Sequence, residues 1–272
     1  MKLLVKYGAK VDARCHDDYN RYALDEVVHS GIYDVVELLL ELEAKCDPGI
    51  DTWREYRDAK HIALGRSVMC GDVRMATLLL DAGASTEYRG LTGTALMTAT
   101  TYGIMDVTPL LIKHGADINL RDQRGETALM KALSSTHRNV EQVKFLLESK
   151  ADIEMCDNVG QTALARMARD GNEEMVRLLI EHGAKVDGSS LGPKPLYLAV
   201  HDNHTETVKL LLEAGADPDA KTNWPSMSSW LPEGEQISAF TLAKRMGRSD
   251  ILPLLQAHRK HLGWQDWLSS YF

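Results

Sequence analysis

The sequence predicts an all-α fold, a solenoid of about seven stacked helix-turn-helix units with protruding loops. Three observations predict it: a phrase ending in Gly-Ala or a close relative recurs along the chain, a Thr-Ala-Leu type phrase precedes it, and a glycine turn lies between the two. The intervals between Gly-Ala phrases are 35, 40, 32, 35, 33 and 32 residues, which cluster near 33 apart from one lengthened step. Such a period is typical of repeat architectures. The phrases are Gly8-Ala9, Glu43-Ala44, Gly83-Ala84, Gly115-Ala116, Lys150-Ala151, Gly183-Ala184 and Gly215-Ala216.

The Thr-Ala-Leu phrase predicts the start of the first helix in each unit. In the copy that begins at Thr162, the hydroxyl side chain can cap the helix. Leu164, Met167 and Ala168 follow at helical spacing, which gives the helix one apolar face.

A turn residue stands twelve positions before the Gly-Ala phrase in five units. Glycine and asparagine tolerate the left-handed backbone conformation that ends a helix, so we expect the first helix to end there. The second helix then runs to the Gly-Ala phrase and is the more apolar of the two. A single helix pair cannot bury its own apolar faces, whereas stacked pairs can. The turn residues are Gly31, Gly71, Gly103, Gly171 and Asn203.

The stretch Ala116-Asp117-Ile118-Asn119, followed by Asp122 to Leu129, resembles the ankyrin-repeat family, and the resemblance spans residues 1–259. The family's histidine after the leucine is absent, so a Thr–His bond of about 1 kcal/mol per repeat is missing. Asn119 also stands where some ankyrin repeats are substrates of asparaginyl hydroxylases, which makes it a candidate modification site. The residues in place of the histidine are Met97, Met130, Ala165 and Tyr197.

The predicted organisation is an ankyrin-repeat domain over 1–259 and an aromatic tail over 260–272. The first repeat is incomplete, because Met1 to Gly8 reads as a second helix without its first, as in a half-repeat or a fragment of a longer protein. Insertions are expected near 47–60 and 221–238, at the places of the family's protruding loops. Pro109 and Pro253 predict later starts of two second helices, since proline is tolerated in a helix's first turn. We expect the tail to cap the last repeat through Leu262, Trp264, Trp267 and Leu268, with a docking peptide as the alternative.

Composition limits the partners and the compartment. The net charge is -8, which disfavours nucleic acid and anionic membrane surfaces. Four cysteines without a C-x-x-C pair fit a reducing compartment, and no apolar run approaches the roughly 18 residues of a membrane span. We therefore expect a monomer that is cytoplasmic or nuclear.

No catalytic, metal-binding or cofactor-binding pattern is visible. The sequence has no P-loop and no Gly-x-Ser-x-Gly motif, and no carboxylate or cysteine pattern completes a site with His201 and His204 or with His258 and His261. We expect no cofactor, no metal and no enzymatic activity. An enzyme would need a closed pocket, for example under the insertion between Trp224 and Trp230.

The resemblance implies a scaffold that binds another protein through a concave groove and its loop tips. The alternative is a recruiting module of a larger enzyme or effector whose chemistry lies elsewhere. Trp53, Trp224 and Trp230 either anchor a partner or pack on their own repeats, and Tyr102 and Arg124 are favoured because Tyr and Arg dominate binding hot spots. The expected partner-binding residues are Arg89, Leu91, Thr101, Tyr102, Gln123, Arg124, Glu126, Ser134, Ser135, Asn158, Val159, Gln161, Arg169, Asp170, His201, Asp202, Trp224 and Trp230.

Overall fold

A computed structural model describes residues 24, 27, 28, 30–43, 53–88, 93–135, 139–190, 192–222 and 236–259. The chain divides into two compact units. Unit 1 comprises residues 1–122 and 134–142, and unit 2 comprises residues 123–133 and 143–272. The predictions for Arg89, Leu91, Trp224, Trp230, the first 23 residues and the 260–272 tail lie outside the described residues, as does the side chain of Trp53.

The described residues are predominantly helical, which confirms the predicted fold class. Together with helical residues 24, 27 and 28 before α1, the helices form seven pairs within the described ranges. They are α1 (Tyr33–Glu43), α2 (Trp53–Met69), α3 (Val73–Asp81), α4 (Ala95–Thr101), α5 (Thr108–Lys113), α6 (Ala128–Ser134), α7 (Val140–Glu148), α8 (Ala163–Asp170), α9 (Glu173–Glu181), α10 (Pro195–His201), α11 (Thr205–Glu213), α12 (Ala239–Arg245) and α13 (252–259).

Side-chain oxygens cap many of the helix starts, as the sequence predicts. Thr162 accepts a hydrogen bond from the N–H of Ala165 at 3.2 Å, and Thr94 accepts one from Met97 at 3.3 Å. The second helix of the same repeat begins likewise, because Asn172 accepts from Met175 at 3.1 Å. Each cap satisfies a backbone donor that the helix leaves unpaired.

The turn between the two helices of a repeat has the same geometry in both units. The turn residue is left-handed, with φ of 66° at Gly31, 68° at Gly71 and Gly171, 69° at Gly103 and 65° at Asn203. Its N–H bonds to the carbonyl three residues back, and the next N–H bonds five residues back, as in Gly171 to Ala168 and Asn172 to Met167. This pattern ends helices widely, and it confirms the predicted turn positions.

Proline delays the start of two second helices, as expected. α5 begins at Thr108, five residues after Gly103, whereas α9 begins two residues after Gly171. Pro109 lies in the first turn of α5, where its missing N–H has no intrahelical partner in any case. Pro253 occupies the equivalent place in α13.

Within each unit, the two helices of a repeat pack together, and helices of like position in neighbouring repeats also pack together. In unit 2, α8 packs against α9 and α10, α10 packs against α11 and α12, and α9 packs against α11; in unit 1, α2 packs against α3 and α4, and α4 packs against α5. Leu164, Leu179 and Leu211 are fully or almost fully buried. Each such leucine contributes about 1.5–3 kcal/mol by leaving water.

The positions where the family has histidine are part of this core. Met97 and Met130 are each 1% exposed and Tyr197 is 2% exposed. Burial also raises the pKa of the Tyr197 phenol above its usual range, because the charged form is poorly solvated there. Apolar packing therefore takes the place of the polar bond that the family usually makes.

The two expected insertions differ in structure. The first was predicted as a loop, which is wrong from Trp53 onward, because α2 is a helix of 17 residues that begins there. No glycine or proline occurs between Trp53 and Leu64, and Ala, Lys, Arg and Glu are strong helix formers. The described ends of the second insertion form a two-stranded antiparallel pair, β1 (Lys221–Thr222) and β2 (Ile237–Ser238).

Among the described residues, no helix combines the length and the apolar character that crossing a membrane requires.

Candidate partner-binding surface

The 157–161 loop of unit 2 is closed by one buried aspartate. The Oδ1 atom of Asp157 accepts hydrogen bonds from the N–H groups of Val159 and Gln161, both at 2.9 Å. The N–H of Asp157 donates to the Gln161 carbonyl at 3.0 Å, which completes a tight turn. Asp157 is only 6% exposed, whereas Val159 at the tip is 57% exposed. The loop is thus ordered from below and presents its tip to solvent.

Asn158 joins this loop to the preceding one, also in unit 2. Its side-chain amide donates to the Gln123 carbonyl at 2.8 Å, and its backbone N–H donates to the Arg124 carbonyl at 2.9 Å. Both bonds reach main-chain oxygens, so they join the two loops without using the side chains of Gln123 and Arg124. Gln123, Arg124, Asn158 and Val159 are all exposed. We call these four residues the loop ridge.

A network of charges lies below the loop ridge. The guanidinium of Arg166 donates to Glu126 at 2.6 Å and to Asp157 at 2.7 Å, and Lys131 also pairs with Glu126. The side chains of Arg166, Glu126 and Asp157 are 16%, 13% and 4% exposed. Because Glu126 precedes α6 and Asp157 belongs to the next loop, Arg166 on α8 ties two consecutive loops to one helix.

The network shifts the ionisation of its members. Burial alone would raise the pKa of the Glu126 carboxyl, but the hydrogen bonds from Lys131 and Arg166 outweigh burial and lower it. Burial likewise opposes the charged form of Arg166, and the bonds to Asp157 and Glu126 raise the pKa of its guanidinium. Glu126 and Arg166 are therefore both charged near neutral pH.

A second polar cluster lies at the far ends of α8 and α10. The Asp202 carboxylate is 2.7 Å from Nδ1 of His201 and 3.8 Å from Nε of Arg169. Nε2 of His204 is 2.9 Å from the carbonyl of Arg169, so the ring donates there. The side chains of His201 and His204 thus have separate protein partners and do not converge on a common point.

The loop ridge and this polar cluster lie at opposite ends of α8. Gln161 precedes α8 and Asp170 ends it, and α8 has eight residues. At a rise of about 1.5 Å per residue the helix separates the two by about 12 Å. The sequence analysis assigns both to one concave groove, and that assignment stays a prediction.

The exposure of the predicted contact residues varies. Gln161 is buried at 4%, Ser135 is buried at 6% and donates to the Thr101 carbonyl at 2.9 Å, and Glu126 is engaged in the charge network. The exposure that the prediction assumed is absent at Gln161 and Ser135 and reduced at Glu126, which is half-buried. Asn119 is half-buried, and its N–H donates to Asp117. The exposed members are Tyr102, Gln123, Arg124, Ser134, Asn158, Val159 and Asp170, and the half-buried members are Thr101, Arg169, His201 and Asp202.

Sequence reasoning missed Asp157 and Arg166, which order the loop ridge. A signal for the aspartate was available, because Asp122 and Asp157 each stand five residues before the capping threonines Thr127 and Thr162, with a glycine between. Nothing in the pattern marked Arg166, since its partners are distant in sequence by 40 and 9 residues.

Comparison with known proteins bears on the repeat fold. A family model described as ankyrin repeats (3 copies) matches residues 61–155 and 136–222, and the span 61–222 is more than half of the 272 residues. This match confirms the family resemblance that the sequence motifs indicate. Among curated proteins, no sequence matches the chain.

Proposed function

The chain belongs to the ankyrin-repeat family, whose members are generally protein–protein interaction modules, and from that premise we propose that it is a scaffold that holds another protein. We place the contact at the loop ridge of unit 2. The observation that supports this placement is the pair of bonds from Asn158 to the Gln123 and Arg124 carbonyls at 2.8 and 2.9 Å.

The loop ridge has the properties of a preorganised contact surface. Its backbone is fixed by Asp157, Asn158 and Arg166, so a partner would bind with a small loss of conformational entropy. Val159 offers exposed apolar area, and Arg124 offers a planar cation, which is enriched at binding hot spots. Fixed main chain with variable side chains at the tips supports recognition of a specific protein surface.

We further propose that the scaffold acts by binding and not by catalysis. Four ionisable side chains of unit 2 form the network of Arg166, Glu126, Lys131 and Asp157. These groups are paired with one another and with loop N–H groups, which suits a structural role. A catalytic acid or base would instead need a group free to exchange protons with a substrate.

The test is affinity capture with the double variant Arg124→Ala/Val159→Ser. The wild-type chain is used to recover partners from a lysate, and the affinity of each recovered protein is measured by calorimetry with purified components. We expect the variant to bind at least about tenfold more weakly, because it removes a cation and the most exposed apolar side chain of the surface.

The matched control is Arg177→Ala, which removes an exposed arginine from α9. It should leave binding and the melting temperature unchanged, and the double variant should also melt like the wild type. If a specific partner binds the double variant as tightly as the wild type, the loop ridge is not the contact surface.

A further inference from the structure

Four large apolar side chains of unit 1 are exposed at the turns that join the two helices of a repeat. Ile32 is 48% exposed, Met69 is 50%, Val73 is 39% and Tyr102 is 41%. Ile32 follows the Gly31 turn, Met69 and Val73 flank the Gly71 turn, and Tyr102 precedes Gly103. We call these four residues the turn edge.

Contacts between the turns place these residues on consecutive repeats of one surface. The Tyr33 hydroxyl donates to Asp72 at 2.8 Å, and Arg74 lies over the Tyr33 ring at 4.4 Å, which links the first two turns. A Cβ atom at Gly71 would lie 3.5 Å from the Cγ2 atom of Ile104, which links the second turn to the third. The turn edge is therefore a row across three neighbouring repeats.

The turn itself does not require apolar residues. In unit 2 the turns with the same hydrogen bonds and the same left-handed residue carry Asp170 and Asn172 in one repeat and Asp202 and His204 in the next. Polar side chains therefore satisfy the local geometry equally well. Exposed apolar side chains grouped on one surface are typical of interaction sites.

The charges around the turn edge are predominantly negative. Residues 30–37, 69–74 and 101–106 hold four carboxylates and one guanidinium, a net charge of 1 − 4 = −3. The single cation, Arg74, lies over the Tyr33 ring and is 3.8 Å from Glu37. An apolar partner surface flanked by lysine or arginine would complement this negative charge, whereas an anionic lipid surface would be repelled by it. The carboxylates are Asp34, Glu37, Asp72 and Asp106.

The backbone of the turns favours a helical partner over an extended one. The N–H groups of Gly31, Gly71 and Gly103 already bond to carbonyls three residues back, at 3.1, 3.0 and 3.4 Å. Strand addition requires a row of unpaired main-chain groups on the receiving protein, which these N–H groups do not supply. A helix satisfies its own main chain and brings only side chains to the contact.

We propose that the turn edge binds a basic amphipathic helix of another protein. Stacked helices are spaced by about 8–10 Å, and seven residues of a helix rise about 10.5 Å. Apolar residues seven apart on such a helix would contact successive repeats, with lysines or arginines beside them. The turn edge and the loop ridge consist of different residues, so either proposal can fail without the other.

The test uses a synthetic helical peptide of about 21 residues, with leucines seven apart on one face and lysines beside them. Its binding is measured by fluorescence anisotropy against wild type, Ile32→Ser/Met69→Ser and the matched control Val159→Ser, which changes an exposed apolar side chain of unit 2. We expect the double variant to bind at least about tenfold more weakly and the control to bind within about twofold of wild type. Salt should weaken the wild-type complex.

Two companion peptides test the chemistry. One has glutamate in place of lysine, and the other has the same composition with the leucines off one face. Neither should bind measurably, and equal binding of either peptide would overturn the proposal. Retained binding by Ile32→Ser/Met69→Ser would overturn it too.

Two measurements on the wild-type chain keep the proposal testable if the double variant does not fold. Photo-crosslinks from the basic peptide should fall in residues 30–37, 69–74 and 101–106, and crosslinks confined to other segments would contradict the turn edge. Sedimentation should show no self-association through this surface. If the chain dimerises and Ile32→Ser/Met69→Ser makes it monomeric, the occupant is a second copy and the proposal is wrong.

Unchanged peptide binding by Arg124→Ala/Val159→Ser would show that the turn edge acts independently of the loop ridge. Loss of lysate partners by that variant with intact peptide binding would locate the two functions on separate surfaces. If the peptide does not bind but the lysate partners do, the scaffold proposal is unaffected, because the two experiments test different residues.

Discussion

At the scale of single residues, the loop ridge depends on two side chains that do not belong to it. Asp157 closes one loop by accepting two N–H groups, and Arg166 joins that aspartate to Glu126 of the preceding loop. Partly buried ion pairs of this kind cost desolvation, so they stabilise only when the geometry and the remaining hydrogen bonds are good. Here the bonds of 2.6 and 2.7 Å meet that condition.

The residue-scale prediction is that Glu126→Gln destabilises the protein in a pH-dependent way. Because the folded-state pKa of Glu126 lies below its ordinary value of 4.5, its contribution to stability is fully present above that value. It is lost as the pH falls through the lowered folded pKa. We expect Glu126→Gln to cost about 1–3 kcal/mol at pH 7.

Urea unfolding of both proteins at a series of pH values between 7 and 3 measures this difference. The gap between wild type and variant should narrow in acid, because protonated Glu126 resembles glutamine. A gap of constant size throughout that range would show that charge plays no part. The Glu213→Gln variant, at an exposed position, provides the comparison.

At the scale of the element, the residue that follows the C-terminal end of α7 differs from the glycines that follow α9 and α11. Lys150 is left-handed, with φ of 66°, at the position where Gly183 and Gly215 end the corresponding helices of unit 2 with φ of 86° and 93°. A side chain in this conformation is strained by contact between Cβ and the following carbonyl. Lys150 is exposed, so nothing in the packing of the core requires the lysine.

The element-scale prediction is that Lys150→Gly stabilises unit 2. Relief of the strain exceeds the greater entropy that glycine has in the unfolded chain, so we expect a gain of about 0.5–1 kcal/mol. Chemical denaturation measures it. Lys150→Ala serves as the control, because it removes the charge and keeps the strain, and an equal gain in both variants would attribute the effect to charge.

At the scale of the whole molecule, a repeat protein is stabilised by contacts between nearest neighbours along the chain. In unit 2, α8 packs against α9 and α10, and the turn after α8 contacts the next repeat through His204. A Cβ atom on Gly171 would clash with Nδ1 of His204, in addition to the strain of a φ of 68°. A change at this turn should therefore act on its neighbours first.

The whole-molecule prediction is that Gly171→Ala loosens unit 2 locally. Hydrogen exchange should become faster in α8 to α11 and stay unchanged in α2 to α4 of unit 1. Gly183→Ala is the matched control, because its φ is 86° but no atom lies within 4 Å of the added Cβ. We expect Gly171→Ala to be the more destabilising by about 1–2 kcal/mol. Uniform loosening of both units would contradict nearest-neighbour stabilisation.

The repeat fold is predictable from the sequence, because its signals are local and recur. A left-handed turn favours glycine or asparagine, a helix cap favours a short polar side chain, and a stacked helix needs an apolar face. Gly171, Thr162 and Leu164 therefore each indicate one of these roles in the sequence. Proline marked the delayed starts of α5 and α13 for the same reason. The sequence analysis did not predict the full length of α2, because it gave the expected repeat period more weight than the helix-forming residues after Trp53.

The tertiary structure determines which of the predicted contact residues are exposed. A charged side chain near a loop tip can be exposed, as that of Arg124 is, or largely buried in an ion-pair network, as that of Glu126 is. The difference depends on Arg166, which lies 40 residues after Glu126 in the chain. The tertiary structure also groups Ile32, Met69 and Tyr102 on one surface, because stacking places residues a repeat apart side by side. Exposure and pairing are properties of such long-range contacts, and a local pattern does not contain them.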